Sequence, residues 1–240
     1  MHRAVGLAVA VPTPRARTLP ERGFSLIELM VVVVIVGIVA TLAMPAMRLA
    51  TFDRHAYDDA GAIMQIFRSA RTRSVARGAA VVVQMTANGP ADRGTFLMYE
   101  AVAPNTGTGI ASTPVGSCKL PTVWAPLPTT AAPNPVVSLV DGANLNGSVE
   151  ADADIETTLN LYANAGAAPT AFTKGFICFT PLGRSYVNAG ANPAPVFDGL
   201  LPNMFPLEAL VQRLGTSPSS TLRSVLIPPS GMARVFSHVL

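Results

Sequence analysis

Glu28 is the residue of this chain that most needs a chemical partner. From Phe24 to Met44 the sequence reads FSLIELMVVVVIVGIVATLAM, a stretch of 21 residues whose single charge is Glu28. A carboxylate in a lipid bilayer costs up to a few kcal/mol at mid-depth and less near the interface, so it calls for a counter-charge. No Lys, Arg or His lies between Phe24 and Met47, so no cation sits within helical reach on this segment. The preceding Arg22-Gly23-Phe24 offers another source. A cut after Gly23 leaves a free, cationic amine on Phe24, and the amine of one copy can neutralise Glu28 of its neighbour. The chemistry suggested is ion pairing between copies.

Signals for other chemistry are sparse. The three histidines are His2, His55 and His238, and no H-E-x-x-H, G-x-S-x-G, Walker A or Cys-x-x-Cys spacing occurs. The sequence therefore points away from an enzyme and implies no cofactor. Asp152, Asp154 and Glu156 alternate along one face. They read as an exposed acidic rim in preference to a calcium site, and no metal is expected. Cys118 and Cys178 are too few for a zinc centre or a disulfide framework. They can form one disulfide in an oxidising compartment, and two free thiols are the alternative. The chain has 17 basic and 14 acidic residues, but Arg3, Arg15, Arg17 and Arg22 stand against Glu21 before residue 24. Beyond it the charges balance, so the net charge of +3 belongs to the N-terminal flank and gives no sign of nucleic-acid binding.

The elements that position Glu28 follow from periodicity. As a helix, 21 residues span about 31 Å, enough to cross the hydrocarbon core. The arginines before it place the N-terminus in the cytoplasm and export the rest. A secretory signal would have a shorter apolar run with its cleavage site after it. A plain signal anchor explains the length but not Glu28. Pro45 is expected to kink or locally melt the helix. Beyond it Ala56, Ala60, Ile63, Met64, Phe67, Ala70 and Ser74 recur every three or four residues. Gly78 is a stop signal. Arg68, Arg71, Arg73 and Arg77 read as a solvated face that complements the helix dipole.

After Gly78 the pattern turns to strands. They are expected at 80–86, 95–101, 136–140, 155–162, 176–180, 185–188, 224–227 and 233–236. Residues 103–135 read as a long loop. Residues 189–220 read as a Pro/Gly-rich insertion holding a short helix at 207–214. The fold class expected is α+β, a long N-terminal helix packed on an antiparallel β-sheet head. The segments are 1–23 (leader), 24–78 (helix, with 24–44 in the membrane or filament core and 46–78 amphipathic) and 79–240 (head).

Arg22-Gly23-Phe24-Ser25-Leu26-Ile27-Glu28-Leu29 resembles the signal of type IV prepilins and type II secretion pseudopilins. The resemblance implies a prepilin peptidase that cuts after Gly23 and N-methylates Phe24, with Glu28 as the acid that assists assembly. Pro45 also matches a proline often found just past the apolar run in such helices. The implied partners are prepilin peptidase, other pilin or pseudopilin subunits, an inner-membrane assembly platform and membrane lipid. The implied location is the inner membrane, with the head in the periplasm. Further along, Phe176-Ile177-Cys178-Phe179-Thr180-Pro181-Leu182-Gly183 and Ile227-Pro228-Pro229-Ser230-Gly231-Met232-Ala233-Arg234 resemble strand-turn elements of the GspH/FimT pseudopilins. DNA-uptake members of that group carry Gly-Arg-x-Arg at the last turn. Here Met232 replaces the first arginine and only Arg234 matches, so a competence pilin touching DNA through Arg234 and Arg223 is the secondary reading. A membrane-anchored domain that never polymerises is another.

Overall fold

The computed structural model describes residues 23–89, 92–103, 113–119, 127, 137–147, 155–162, 168–189, 206–213 and 221–239. A single helix, α1, runs from Leu26 to Arg77. Helical structure continues through Pro45, so the local melting expected there does not occur. The chain divides into two units, residues 1–46 and 47–240, and α1 contributes to both.

In the second unit the helix buries one stripe: Phe52, Ala56, Ala60, Ile63, Phe67, Ala70 and Ser74. These are the expected positions with Phe52 added, while Met64 lies only half-buried at the edge. Alanine at three of them lets the sheet backbone come close, and Phe67 fills the space between, meeting the Phe96 ring edge-on at 6.1 Å. Gly78 ends the helix with φ +66°, a left-handed conformation that glycine adopts without strain.

The helix packs on two antiparallel sheets where one was expected. The strands are β1 (Val81–Thr86), β2 (Thr95–Ala103), β3 (Thr113–Pro114), β4 (Val137–Asn144), β5 (Ile155–Leu161), β6 (Thr170–Phe172), β7 (Lys174–Phe179), β8 (Ser185–Ala189), β9 (Leu207–Arg213), β10 (Thr221–Ile227) and β11 (Arg234–Val239). The first sheet has the order β3-β2-β1-β7-β8, with β4 also paired to β2. The second has the order β11-β10-β9-β5-β6. Val81, Val83, Met85, Ile177 and Phe179 of the first sheet share a core with Ile155, Leu159, Leu207, Ala209, Val211 and Val225 of the second. On its other face the first sheet buries Val82, Tyr99, Phe176 and Cys178 beneath Cys118 and Leu127. Burial on both faces explains the apolar runs at 81–83 in β1 and 176–179 in β7.

Two expectations fail in residues 189–220. The stretch 207–214 is not a helix: Leu207–Arg213 is a strand, β9. Leu207–Arg213 is also no part of an insertion, because β9 is the middle strand of the second sheet, paired to both β5 and β10, while residues 190–205 and 214–220 lie outside the described residues. Leu, Glu, Ala, Gln and Arg are good helix formers, but such propensity is a weak preference and alternate burial overrides it here. Leu207, Ala209 and Val211 face the core. On the opposite face the buried Glu208 carboxylate accepts hydrogen bonds from the Ser224 hydroxyl, the Tyr162 hydroxyl (2.9 Å) and the Asn160 amide (3.3 Å). Within 103–135, expected as loop, β3 pairs with the end of β2. The strand β6 was not expected from the sequence either. Asp152 and Asp154 lie outside the described residues. Glu156 accepts from the Gln212 side chain at 2.6 Å.

Candidate functional site

The first unit presents an apolar helix start. The helix begins at Leu26 and Ser25 caps it: the Ser25 side-chain oxygen accepts from the Glu28 N–H at 3.2 Å. The Ser25 carbonyl accepts from the N–H groups of Glu28 and Leu29 at 3.1 and 3.2 Å. Ser25-Leu26-Ile27-Glu28 has the Ser-x-x-Glu spacing of a capping box, and Glu28 lies in the first turn, where the helix dipole favours a negative charge. Gly23 and Phe24 precede the helix, and Phe24 is 79% exposed. Gly23, Phe24 and Glu28 therefore sit within six consecutive residues, with the peptide between the first two outside the helix.

Every side chain from Phe24 to Leu42 is exposed. Leu26–Met44 is long and apolar enough to cross a membrane, with a mean hydropathy of 2.8. An exposed apolar surface of that size needs lipid or other protein around it. Glu28 is the one ionisable group in it.

Residues 19–44 match the family model for the prokaryotic N-terminal methylation motif. The match is to the type IV pilin-like signal and includes Gly23, Phe24 and Glu28. It does not extend into the head. No curated protein and no solved structure matches the chain significantly.

The other residues singled out in the sequence have structural partners in the second unit. Cys118 and Cys178 form a disulfide with an S–S distance of 2.03 Å, and both are buried. The bond ties the segment after β3 to the outer face of β7. Arg223 bonds Asp53 of α1 at 2.9 and 3.1 Å, and its guanidinium stands 5.7 Å from the centre of the Tyr57 ring. Arg234 is exposed on β11. It pairs in register with Leu226, whereas Arg223 pairs with Ser237. Positions 223 and 226 differ by an odd number, so the two arginines lie on opposite faces of the sheet and do not converge.

The arginine cluster at the helix end faces solvent as expected, with Arg68 and Arg77 exposed and Arg71 and Arg73 half-buried, but it is not a free face. Arg68 donates to the Ala233 carbonyl at 3.1 Å and Arg71 to the Ser230 carbonyl at 2.9 Å. Arg73 donates to the buried Glu100 carboxylate at 2.5 Å, and Arg77 forms an ion pair with its other oxygen at 2.5 Å. Four arginines within ten residues thus fasten the helix end to β2 and to the β10–β11 turn. Ser74 adds a buried hydrogen bond to the Phe179 carbonyl at 3.0 Å.

Sequence reasoning missed three residues. Ser25 was legible as the serine of a Ser-x-x-Glu box. Asp59 and Arg93 were not. They form a buried pair 34 residues apart, with contacts of 2.8 and 2.6 Å. No spacing rule links a helix residue to one in the turn before β2.

Proposed function

We propose that this chain is a minor pilin or pseudopilin subunit, cut between Gly23 and Phe24 by prepilin peptidase and methylated on Phe24. It then joins a type II secretion pseudopilus or a type IV pilus. The observation that carries this reading is the single acid Glu28 in the first turn of a helix that begins two residues past a glycine–phenylalanine bond and is apolar and exposed as far as Leu42. In this reading the chain sits in the inner membrane, N-terminus in the cytoplasm and head in the periplasm. Leu26–Met44 lies in lipid until it enters the filament core.

The assembly step is electrostatic. Cleavage gives Phe24 a cationic amine in a low-dielectric setting, where opposite charges attract strongly and an unpaired charge is costly. Docking that amine against Glu28 of the preceding subunit satisfies both groups and fixes the axial register. The apolar faces supply packing without direction. The chain acts as a peptidase substrate and structural subunit, not as an enzyme. The buried disulfide suits an exported head. A resemblance of the two strand-turn elements to GspH/FimT pseudopilins favours that subgroup.

Two measurements test the proposal. Mass spectrometry of protein from membranes holding prepilin peptidase is expected to show a chain starting at methylated Phe24. Glu28→Ala is expected to insert and be cut normally but to drop out of filaments. A chain that keeps residues 1–23, or a Glu28→Ala variant that assembles as well as wild type, removes the reading. The DNA-binding alternative loses support because Arg223 is engaged by Asp53 and faces away from Arg234.

A further inference from the structure

We infer that Ser25 is a positioning residue for the cut: its cap stops α1 one residue short of Phe24 and keeps the Gly23–Phe24 peptide out of the helix. The inference rests on the prepilin reading and adds a residue to it. Hydrolysis consumes one water, leaves a carboxylate on Gly23 and leaves the amine on Phe24. A peptidase takes such a bond from extended, accessible backbone. Inside a helix the scissile carbonyl is hydrogen-bonded and the chain is curled.

The structure shows where that boundary lies and what holds it. Ser25 occupies the cap position, its side chain takes the Glu28 N–H, and its carbonyl takes the first helical bonds. Gly23 and Phe24 stand outside, both exposed. A capping serine stabilises one start of a helix over its neighbours. Without it the start can move either way. Fraying towards Glu28 leaves unpaired backbone N–H groups in an apolar segment, which lipid does not tolerate. Growth towards the N-terminus leaves none there. The upstream sequence offers a landing point: Thr18-Leu19-Pro20-Glu21 repeats the Thr-x-x-Glu capping spacing, with proline where a first helical turn accepts it. A helix begun at that point carries the scissile bond inside it.

The test is the cleavage rate of the full-length precursor by prepilin peptidase in membranes, read by mass spectrometry. Ser25→Ala and Ser25→Val remove the cap and are expected to be cut about fivefold more slowly, the fold-change equivalent to a typical cap. Ser25→Thr and Ser25→Asn cap and are expected to stay within about twofold of wild type. Ser25→Ala cut at the wild-type rate overturns the inference. So does Ser25→Asn as slow as Ser25→Ala, which would mean the peptidase reads the side chain and not the helix boundary. A wild-type chain left uncut instead overturns the prepilin reading itself, so the two failures are distinguishable.

Discussion

Asp59→Ala is expected to be among the most damaging single changes in the head, although the residue lies on a helix and touches no site. Asp59 and Arg93 are 5% and 6% exposed and bond through two contacts of 2.8 and 2.6 Å. The pair joins the middle of α1 to the turn that leads into β2. Arg93 is further held by its N–H to Asn146 (2.9 Å) and by its carbonyl, which accepts from the Thr157 hydroxyl (2.6 Å). Removing the carboxylate therefore takes from a buried guanidinium the acid that it is paired with. Breaking a buried pair this way costs about 3–5 kcal/mol. Replacing both members with apolar residues of similar volume, Asp59→Leu with Arg93→Met, leaves no buried charge and is expected to be near neutral. The double variant should thus be several kcal/mol more stable than the sum of its singles predicts. Urea unfolding of the disulfide-intact protein in detergent, followed by near-ultraviolet circular dichroism, gives the three free energies. A loss under about 1 kcal/mol for Asp59→Ala, or strict additivity in the cycle, refutes the reasoning.

Replacing Cys118 and Cys178 together by alanine opens a loop of 60 residues and is expected to cost about 4 kcal/mol in the same assay. Gly231→Ala is expected to cost more than about 1 kcal/mol, because φ is +74° and the new methyl would lie 2.8 Å from the Phe179 ring. Its thermal midpoint against wild type checks this. Asp92 is pushed up by burial, but hydrogen bonds from the Asn146 side chain and from the Asn88 and Gly94 N–H groups outweigh this and hold it below its ordinary 3.8. Its contribution to stability is therefore present above that value and lost as pH falls through the lower folded one. Acid titration of Asp92→Asn should show a shallower loss than wild type below pH 3.8.

How far each part was legible depends on whether its signal is local. The helix stripe from Ala56 to Ser74 is a 3.6-residue pattern within one element, and the structure buries it. The capping of Ser25 and the stop at Gly78 are equally local. β9 was misread because the sequence around Leu207 holds good helix formers, and its alternation acquires meaning only between β5 and β10. The arginines from 68 to 77 were legible as a solvent-facing set but their partners were not, because Glu100 lies on a strand that no periodicity connects to them.

The amino-acid order alone determined the start of this protein: Gly23, Phe24, the lone Glu28 and a run of apolar residues long enough for a bilayer. Composition and spacing over some twenty residues suffice there because polarity and length are properties of the segment itself and need no particular neighbour in the fold. Only the tertiary structure decided the head. Its two-sheet layout, the Asp59–Arg93 and Asp53–Arg223 pairs, the joined cysteines and the middle place of β9 each depend on residues tens to more than a hundred positions apart. Those contacts are set by which faces must be buried together, and the chain reveals that only once it has closed on itself.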